Sequence, residues 1–316
     1  MVNPLRIVFF GTPAFAVPTL EALLASRHPV VGVVTQPDRP RGRGRRVSDS
    51  PVKAAAVAAS ITVIQPDRLR GPAVLDTLRA WQPDLGVVAA YGKLIPDDLL
   101  TLPRHGMINV HASLLPKYRG AAPIHRAVID GEAITGVTIM RVETMLDAGP
   151  MLATVTRPIG PDDTSDLIEP DLARLGASLL VDVVEQIAAG TAREEIQDAT
   201  RCSYAPKLTK EEGLIDWTLP AASIHNRVRG LYPWPHAYTY LEGTRIIVLR
   251  TRVDGAASDA APGTVVDVSR DAIHVATGHQ VRVAIERVQL EGGRPLAVRE
   301  FLAGHPVRAG AALSNA

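Results

Sequence analysis

Short apolar runs alternate with segments of helical spacing in the first half of the chain, and this alternation restricts the possible folds more than any other feature. Fully apolar runs followed by amphipathic helix patterns are typical of β-α-β units in a mostly parallel sheet covered on both faces. The apolar runs are Arg6–Phe10, Val30–Thr35, Ile61–Gln65, Leu85–Ala90, Met107–His111 and Val137–Val142. In such sheets ligands bind beyond the carboxyl ends of the strands.

The second half of the chain has a different pattern. A long helix is predicted for Ser165–Ala189, with Pro170 near its start, where a proline is tolerated. Residues 191–209 are polar and without periodicity, as in a surface linker. Five strand-like runs separated by turn residues follow, which is typical of a small antiparallel barrel. These runs are Ala237–Leu241, Arg245–Leu249, Gly263–Val268, Ala272–Thr277 and Val281–Val288.

These patterns together predict an α/β protein with two domains. We expect a Rossmann-like, mostly parallel sheet domain over residues 1–190, a linker over 191–209, and a smaller OB-like β-barrel domain over 210–316. Residues 304–316 are expected to fray, as chain ends often do. A chain of 316 residues, 46% of them hydrophobic, is long enough for two cores of ordinary size.

Charge and cysteine content exclude several classes of protein. The 34 Lys+Arg residues nearly balance the 33 Asp+Glu residues, so the chain as a whole is not a basic protein that coats nucleic acid. The single cysteine, Cys202, excludes an internal disulfide and a Cys-rich zinc site. No apolar run is long enough to cross a bilayer, and the N-terminus has no signal-peptide pattern. We therefore expect a cytoplasmic protein with no membrane partner.

Polar residues with catalytic potential follow one of the inner strands. Because strand side chains alternate, Asn109 and His111 point to the same face near the end of the run Met107–His111. Two polar side chains there are costly to bury unless they are paired or used. They either shape the following loop by hydrogen bonding or belong to a functional site. Asp147, in Leu146-Asp147-Ala148-Gly149-Pro150, is by itself typical of a turn.

A basic run is the clearest sign of a nucleic-acid partner. Residues 39–46 contain five arginines in eight positions, with glycines between them. In a nearly neutral chain such a patch attracts phosphates, and arginine both stacks on bases and binds phosphate oxygens. The residues proposed for this contact are Arg41, Arg43, Arg45 and Arg46, together with Lys207 and Lys210 near the predicted domain junction. The alternative is a solvated surface.

Several other kinds of site lack their sequence signals. The first strand is followed by Gly11-Thr12-Pro13-Ala14-Phe15, which lacks the second glycine that lets a backbone approach a dinucleotide pyrophosphate. No His-Glu-x-x-His metal motif and no Gly-x-Ser-x-Gly nucleophile elbow are present. We therefore expect no nicotinamide cofactor, no metal and no covalent nucleophile.

Taken jointly, the site motifs resemble those of the 10-formyltetrahydrofolate-dependent formyltransferases. The motifs are the strand Gly106–His111, the loop Ser113-Leu114-Leu115-Pro116, and Leu146-Asp147-Ala148-Gly149. Phe10-Gly11-Thr12-Pro13 and the run from Thr35 into Gly42-Arg43-Gly44 point to the members of the family that act on initiator tRNA. The resemblance is densest from 6 to 150 and weaker after 210, where Tyr232-Pro233-Trp234-Pro235 is the main landmark.

The resemblance implies both a reaction and a set of site residues. A formyl group would pass from 10-formyltetrahydrofolate to the α-amine of methionine on initiator methionyl-tRNA, for use in translation initiation. The family's catalytic trio corresponds to Asn109, His111 and Asp147. The folate pocket would be lined by Ser113, Leu114, Leu115 and Pro116, although these residues alone also fit an ordinary loop shaped by its proline. The basic loop would enter at the tRNA acceptor end, with the best match at Arg43. We expect a monomer.

This chemistry explains why these residue types are needed. The amine attacks the formyl carbon, and an Asn109 amide can stabilise the oxyanion that develops. An imidazole such as that of His111 is suited to accept the amine's proton or to stabilise charge, with Asp147 as its partner.

Two alternatives remain open from the sequence. The first is formyl transfer to a purine-pathway amine or an amino sugar, because the trio cannot distinguish acceptors. The second is a non-catalytic RNA-binding protein, which would need the basic loop but not all three site residues.

Overall fold

The computed structural model describes residues 3–41 and 46–314, with the backbone but not the side chains of residues 39–41 and 46–47. The described chain divides into two compact units. The first unit comprises Met1–Pro123, Ile134–Pro158 and Glu169–Ala205, and the second unit comprises Ile124–Ala133, Ile159–Ile168 and Pro206–Ala316.

The first unit is built on a mixed sheet. Its strands are β1 (Ile7–Gly11), β2 (Val30–Val34), β3 (Arg39–Arg41), β4 (Arg46–Ser48), β5 (Val63–Ile64), β6 (Leu85–Ala89), β7 (Met107–His111), β8 (Arg119–Gly120), β9 (Ile134–Arg141), β10 (Met151–Pro158) and β11 (Tyr204–Ala205). Seven of them form one sheet in the order β10-β9-β7-β6-β1-β2-β5. The central strands pair in parallel, as expected from their apolar runs.

The parallel arrangement ends at β7. Strand β9 pairs with β7 in antiparallel fashion, and β10 pairs with β9 in the same way. The predicted strand Val137–Val142 therefore corresponds to β9, which ends one residue earlier, at Arg141, but it runs antiparallel to its neighbour β7. Its side chains Val137, Ile139 and Met140 are at most 1% exposed. A strand buried on both faces has the same apolar sequence in either direction, so the pattern could not reveal its orientation.

Helices lie between the strands along the chain. They are α1 (Val17–Leu24), α2 (Pro51–Ala58), α3 (Pro72–Ala80), α4 (Asp97–Leu100), α5 (Pro123–Ile129), α6 (Ser165–Ala189), α7 (Ala221–Gly230) and α8 (Val298–Gly304). The predicted long helix is confirmed as α6, which includes Pro170 near its start. Among the described residues no helix is long and apolar enough to cross a membrane.

The polar segment predicted as a linker is hydrogen-bonded into the first unit. Glu195 and Met151 exchange two backbone hydrogen bonds of 2.8 Å at the edge of β10. Strand β11 pairs in parallel with β8, so that Tyr204 lies opposite Arg119. The side chain of Gln197 is buried. The part of this segment up to Ala205 therefore pairs with β10 and with β8, which follows β7 in the chain.

The second unit contains an antiparallel sheet. Its strands are β12 (Ala237–Leu241), β13 (Thr244–Ala257), β14 (Val265–Val268), β15 (Ile273–Ala276), β16 (Val281–Leu290), β17 (Leu296–Ala297) and β18 (Leu313–Ser314). The five predicted strands are confirmed as β12 to β16. The order along the sheet is β14-β15-β16-β13-β12-β18, with β17 beside β16.

The chain end joins the two edges of this sheet. Strand β18 pairs with β12, while Ala312 forms a bridge with Thr264 just before β14. The Leu313 N–H also donates to the carbonyl of Gly263 over 2.8 Å. The sheet is thus curled until its ends meet. The expectation of a frayed tail is therefore wrong for these residues. The sequence could not reveal their pairing, because the segment is too short to show periodicity and its partners are distant in sequence.

Candidate active site

Strand β7 presents Asn109 between two neighbouring strands. Asn109 lies opposite Val88 of β6 on one side and Met140 of β9 on the other. Its side chain is half-buried and makes no hydrogen bond to any residue that the structure describes. An amide in this position keeps both of its N–H donors available for a ligand.

His111 lies on the same face of β7 and is 5% exposed. Its Nε2 is 2.9 Å from the carbonyl oxygen of Tyr118, and its Nδ1 is 3.6 Å from Oδ2 of Asp147. Because a carbonyl oxygen only accepts, the hydrogen-bonded Nε2 carries a proton. In the neutral ring Nδ1 is then the unprotonated nitrogen that can accept a proton, and the Asp147 carboxylate lies next to it.

Asp147 reaches this position through an unusual backbone. Its φ is +49°, in the left-handed region that few residues other than glycine adopt. The backbone N–H of Gly120 donates to Oδ2 of Asp147 over 2.9 Å. Gly120 itself has a φ of +118°, and a Cβ there would lie 2.9 Å from the carbonyl oxygen of Ala205. Only glycine fits this position without strain.

Two buried polar residues that the sequence reasoning missed support the Asp147 loop. The Nε2 of Gln197 donates to the carbonyl oxygens of Asp147 and Gly149, over 2.9 and 2.8 Å. The guanidinium of Arg119 donates to Oε1 of Gln197 from Nη2 over 2.7 Å and from Nε over 3.1 Å. Gln197 lies in an aperiodic polar segment, where a sequence carries no signal for such a role.

The predicted folate loop is held by hydrogen bonds within the first unit. Ser113 is buried and donates from Oγ to the carbonyl of Lys117 over 2.7 Å. The hydroxyl of Thr138 donates to the Ser113 carbonyl over 2.7 Å and accepts from the Leu115 N–H over 3.2 Å. Leu115 is buried, whereas Leu114 and Pro116 are partly exposed. Ser113 and Leu115 therefore shape the loop, and the lining of a folate pocket stays a prediction.

Three large apolar side chains are exposed, one after β6 and two directly before Asp147. Leu94, after β6, is 75% exposed, while Met145 and Leu146, just before Asp147, are 65% and 47% exposed. Large apolar side chains left in water near a polar cluster are typical of a surface that a ligand covers.

The predicted basic contacts are only partly described by the structure. The backbones of Arg41 and Arg46 are paired in the antiparallel register of β3 and β4, whereas Arg43 and Arg45 lie outside the described residues. Lys207 and Lys210 are exposed in the second unit.

The residues on either side of the basic run, residues 39–46, form ion pairs with the same lysine. Lys53 of α2 forms ion pairs with Asp38, before β3, and with Asp49, after β4. The hydrogen bond from Lys53 lowers the pKa of Asp38 from its ordinary value. The Lys53 ammonium thus links the residues before and after the basic run to α2.

Within residues 3–41 and 46–314, no group of three or more His, Cys, Asp or Glu side chains is arranged to hold a metal ion.

Comparison with known proteins gives matches over nearly the whole chain. The family model described as "Formyl transferase" matches residues 5–184, and the model "Formyl transferase, C-terminal domain" matches residues 207–306. The methionyl-tRNA formyltransferase of Methylococcus capsulatus is 47% identical over 301 residues, covering 95% of this chain and 97% of that protein. That of Trichlorobacter lovleyi is 45% identical over 308 residues, covering 98% and 96%.

Solved structures match the fold at lower sequence identity. A sugar 3N-formyl transferase crystallised with dTDP and 5-N-formyl-THF has a TM-score of 0.67 at 15% identity, covering 90% of this chain and 97% of its own. HypX from Aquifex aeolicus, in complex with tetrahydrofolic acid, has a TM-score of 0.61 at 16% identity, covering 95% of this chain and 47% of its own. At these identities the likeness concerns the fold alone.

Proposed function

Because this chain belongs to the formyl transferase family, we propose that it transfers a formyl group from 10-formyltetrahydrofolate to the α-amine of methionine on initiator methionyl-tRNA. The products are N-formylmethionyl-tRNA, for translation initiation, and tetrahydrofolate, whose nitrogen keeps the electron pair of the broken C–N bond and takes up the proton that the amine sheds. The chain is 47% and 45% identical to two methionyl-tRNA formyltransferases over nearly its full length, and this similarity supports the choice of acceptor. The observation that carries the chemistry is the 3.6 Å distance between Nδ1 of His111 and Oδ2 of Asp147. Two residues earlier on β7, the Asn109 amide has no hydrogen-bond partner in the part of the chain that the structure describes.

Each of the three residues has a role that follows from its surroundings. The Asn109 amide donates to the formyl oxygen as negative charge develops there, which is the kind of donor that accelerates acyl transfer. The Nδ1 of His111 accepts the proton that the attacking amine sheds, because its Nε2 is engaged by the Tyr118 carbonyl. Asp147 stabilises the imidazolium that results and keeps its own orientation through the Gly120 N–H.

The exposed apolar residues after β6 and before Asp147 are proposed to contact the folate. When bound, 10-formyltetrahydrofolate supplies the formyl carbon that the amine attacks. Exposed Leu94, Met145 and Leu146 offer apolar surface that a planar pterin can cover. The turn from Ser113 to Pro116 is fixed by the Thr138 hydroxyl and is proposed to present Leu114 and Pro116 to the folate.

Basic residues of both units are proposed to bind the tRNA. Arg41, Arg43, Arg45 and Arg46 supply a concentrated positive charge that contacts the acceptor end, and Lys207 and Lys210 contact backbone phosphates. We further propose that the curled sheet of the second unit acts as an OB-like RNA-binding barrel. The domain limits 1–190, 191–209 and 210–316, a monomeric state and a cytoplasmic location belong to the same proposal.

The function is tested by incubating the protein with 10-formyltetrahydrofolate and methionyl initiator tRNA, with elongator methionyl-tRNA and a free amino sugar as competing acceptors. Formylation of the initiator tRNA, with little or none of the other two, is expected. His111→Ala and Asp147→Ala should each lower kcat by about 100-fold or more, as loss of acid–base help does. Formylation of the sugar alone would replace the acceptor, and RNA binding without formyl transfer would contradict the enzymatic assignment.

A further inference from the structure

The residue that holds the Asp147 loop is a glutamine from the segment after α6. Gln197 is 7% exposed, and Arg119, which donates to it, is 5% exposed. Burying polar side chains of this size is unfavourable unless their donors and acceptors are satisfied. The hydrogen bonds from Arg119 to Gln197, and from Gln197 to the Asp147 loop, satisfy both sides of the Gln197 amide.

The partners of Gln197 fix the orientation of its amide. A guanidinium has only donors, so the amide oxygen must face Arg119. The amide nitrogen must then face the carbonyl oxygens of Asp147 and Gly149, which only accept. One side chain therefore bridges both ends of the turn Asp147-Ala148-Gly149.

The Gln197 hydrogen bonds hold a turn whose backbone conformation is unfavourable by itself. Asp147 has a φ of +49°, a left-handed conformation that is unfavourable for most residues with a side chain and persists where the surroundings enforce it. A Cβ on Gly149 would lie 2.2 Å from the carbonyl oxygen of Arg141, so the turn also lies tightly against β9. The Gln197 amide holds the backbone of Asp147, while the Gly120 N–H holds its carboxylate.

We propose that Gln197, oriented by Arg119, is a positioning residue that sets the place of the Asp147 carboxylate beside His111. This inference rests on the proposed function, because it gives Asp147 a role in formyl transfer. Strand β8 supplies both Arg119 and the Gly120 N–H, so a single two-residue strand sets the backbone and the side chain of Asp147 together.

The discriminating variant is Gln197→Glu. It keeps the shape of the side chain and its attraction to Arg119, but presents an oxygen in place of the donor to the two carbonyls. We expect kcat for formyl transfer to fall roughly 10- to 100-fold, since small misplacements of catalytic groups have effects of this size. The KM values for tRNA and folate should stay the same, because the Gln197 side chain is buried and its amide is engaged by Arg119 and the Asp147 loop. Gln186→Glu, the same change at an exposed position of α6, is the matched control and should have wild-type kcat.

A double variant separates positioning from general structural damage. If Gln197 acts through Asp147, then Gln197→Glu should not lower kcat further in an Asp147→Asn background. A merely structural role predicts that the two reductions multiply. Gln197→Met, which lacks the added charge, gives the same comparison if the glutamate variant does not fold.

The outcomes distinguish the inference from the proposed function. Wild-type kcat in both Gln197 variants, with Asp147→Asn impaired, would overturn the inference alone. Multiplying effects in the double variant would overturn it as well. Wild-type kcat in Asp147→Asn, or no formylation by the unaltered protein, would overturn the inference together with the function on which it rests.

Discussion

At the scale of single residues, Asn109 differs from His111 and Asp147 because its side chain has no hydrogen-bond partner among the described residues. Replacing it should therefore affect catalysis without affecting stability. We expect Asn109→Ala to lower kcat by about 10²- to 10³-fold, as the loss of one oxyanion donor does. The melting temperature should stay close to that of the wild type, because the change removes no side-chain hydrogen bond to a residue that the structure describes. Steady-state formylation kinetics and thermal unfolding on the same preparation check both statements, and a variant of full activity removes Asn109 from the mechanism.

His236 gives the second unit a predictable dependence on pH. Its Nδ1 is buried without a partner among the described residues, and desolvation by burial lowers its pKa. The unfolded chain binds a proton near the ordinary pKa of about 6.5, whereas the folded chain resists protonation. The stability tied to His236 is therefore present above about pH 6.5 and is lost as the pH falls through the lower folded pKa.

Replacing this histidine should remove that dependence. His236 has a φ of +70°, which asparagine tolerates better than most residues, so His236→Asn is the suitable change. Between about pH 6.5 and pH 5, its free energy of unfolding should fall less than that of the wild type. His279→Asn, at an exposed position with a φ of +63°, is the matched control. Urea unfolding of all three proteins at several pH values in this range gives the comparison. If the free energy of unfolding changes equally with pH in the wild type and in His236→Asn, the prediction is wrong.

At the scale of elements, the two-residue strand β8 connects the loop after β7 to the segment after α6. Its Gly120 combines a positive φ with a close approach to the Ala205 carbonyl, and its N–H holds the Asp147 carboxylate. Gly120→Ala should therefore cost about 1–3 kcal/mol of unfolding free energy through backbone strain. It should also lower kcat, because relief of the strain moves the N–H. Gly304→Ala, with open space around its Cβ, is the control. Denaturant unfolding and formylation kinetics measure the two effects, and a loss of stability with unchanged kcat would separate β8 from catalysis.

The elements that the sequence predicted are those with a local signal. Strands β1, β2, β6 and β7 are apolar runs long enough to be recognised, and α6 has a stripe of helical spacing. Strands β8 and β11 have two residues each, and they exist only because Arg119 and Tyr204 meet across a long stretch of chain. No periodicity can be read from two residues, so these strands, and the buried Gln197 between α6 and β11, were not predictable.

The site itself was predictable in part for the same reason. Asn109 and His111 share a face of one strand, which follows from alternation alone. The approach of Asp147 to His111 depends on an antiparallel β9 and on a turn held from a distant segment, so only resemblance to a family pointed to it. The structure brings these two side chains together, and their catalytic roles stay a prediction.

At the scale of the whole molecule, five arginines lie within residues 39–46 of a chain whose formal net charge is only +1. Binding of tRNA should therefore depend on salt mainly through this segment. Replacing Arg43 and Arg45 by Ala should raise KM for tRNA and reduce the slope of log affinity against log salt by about 2, near one for each phosphate that the protein no longer neutralises. Arg68→Ala with Arg70→Ala removes the same charge from an exposed loop and is the control. Equal slopes in wild type and the Arg43/Arg45 variant, measured by filter binding at several salt concentrations, contradict the assignment.

The bridge between Ala312 and Thr264 has a consequence for how this protein tolerates trimming. Loss of only the segment from Ala311 to Ser314 strips the hydrogen-bond partners from β12 on one side and from the stretch before β14 on the other. Both strands would then present unpaired backbone edges, which neighbouring molecules can extend into intermolecular sheets. Deletion of Ala311–Ser314 would accordingly show itself first as aggregation of the protein in solution.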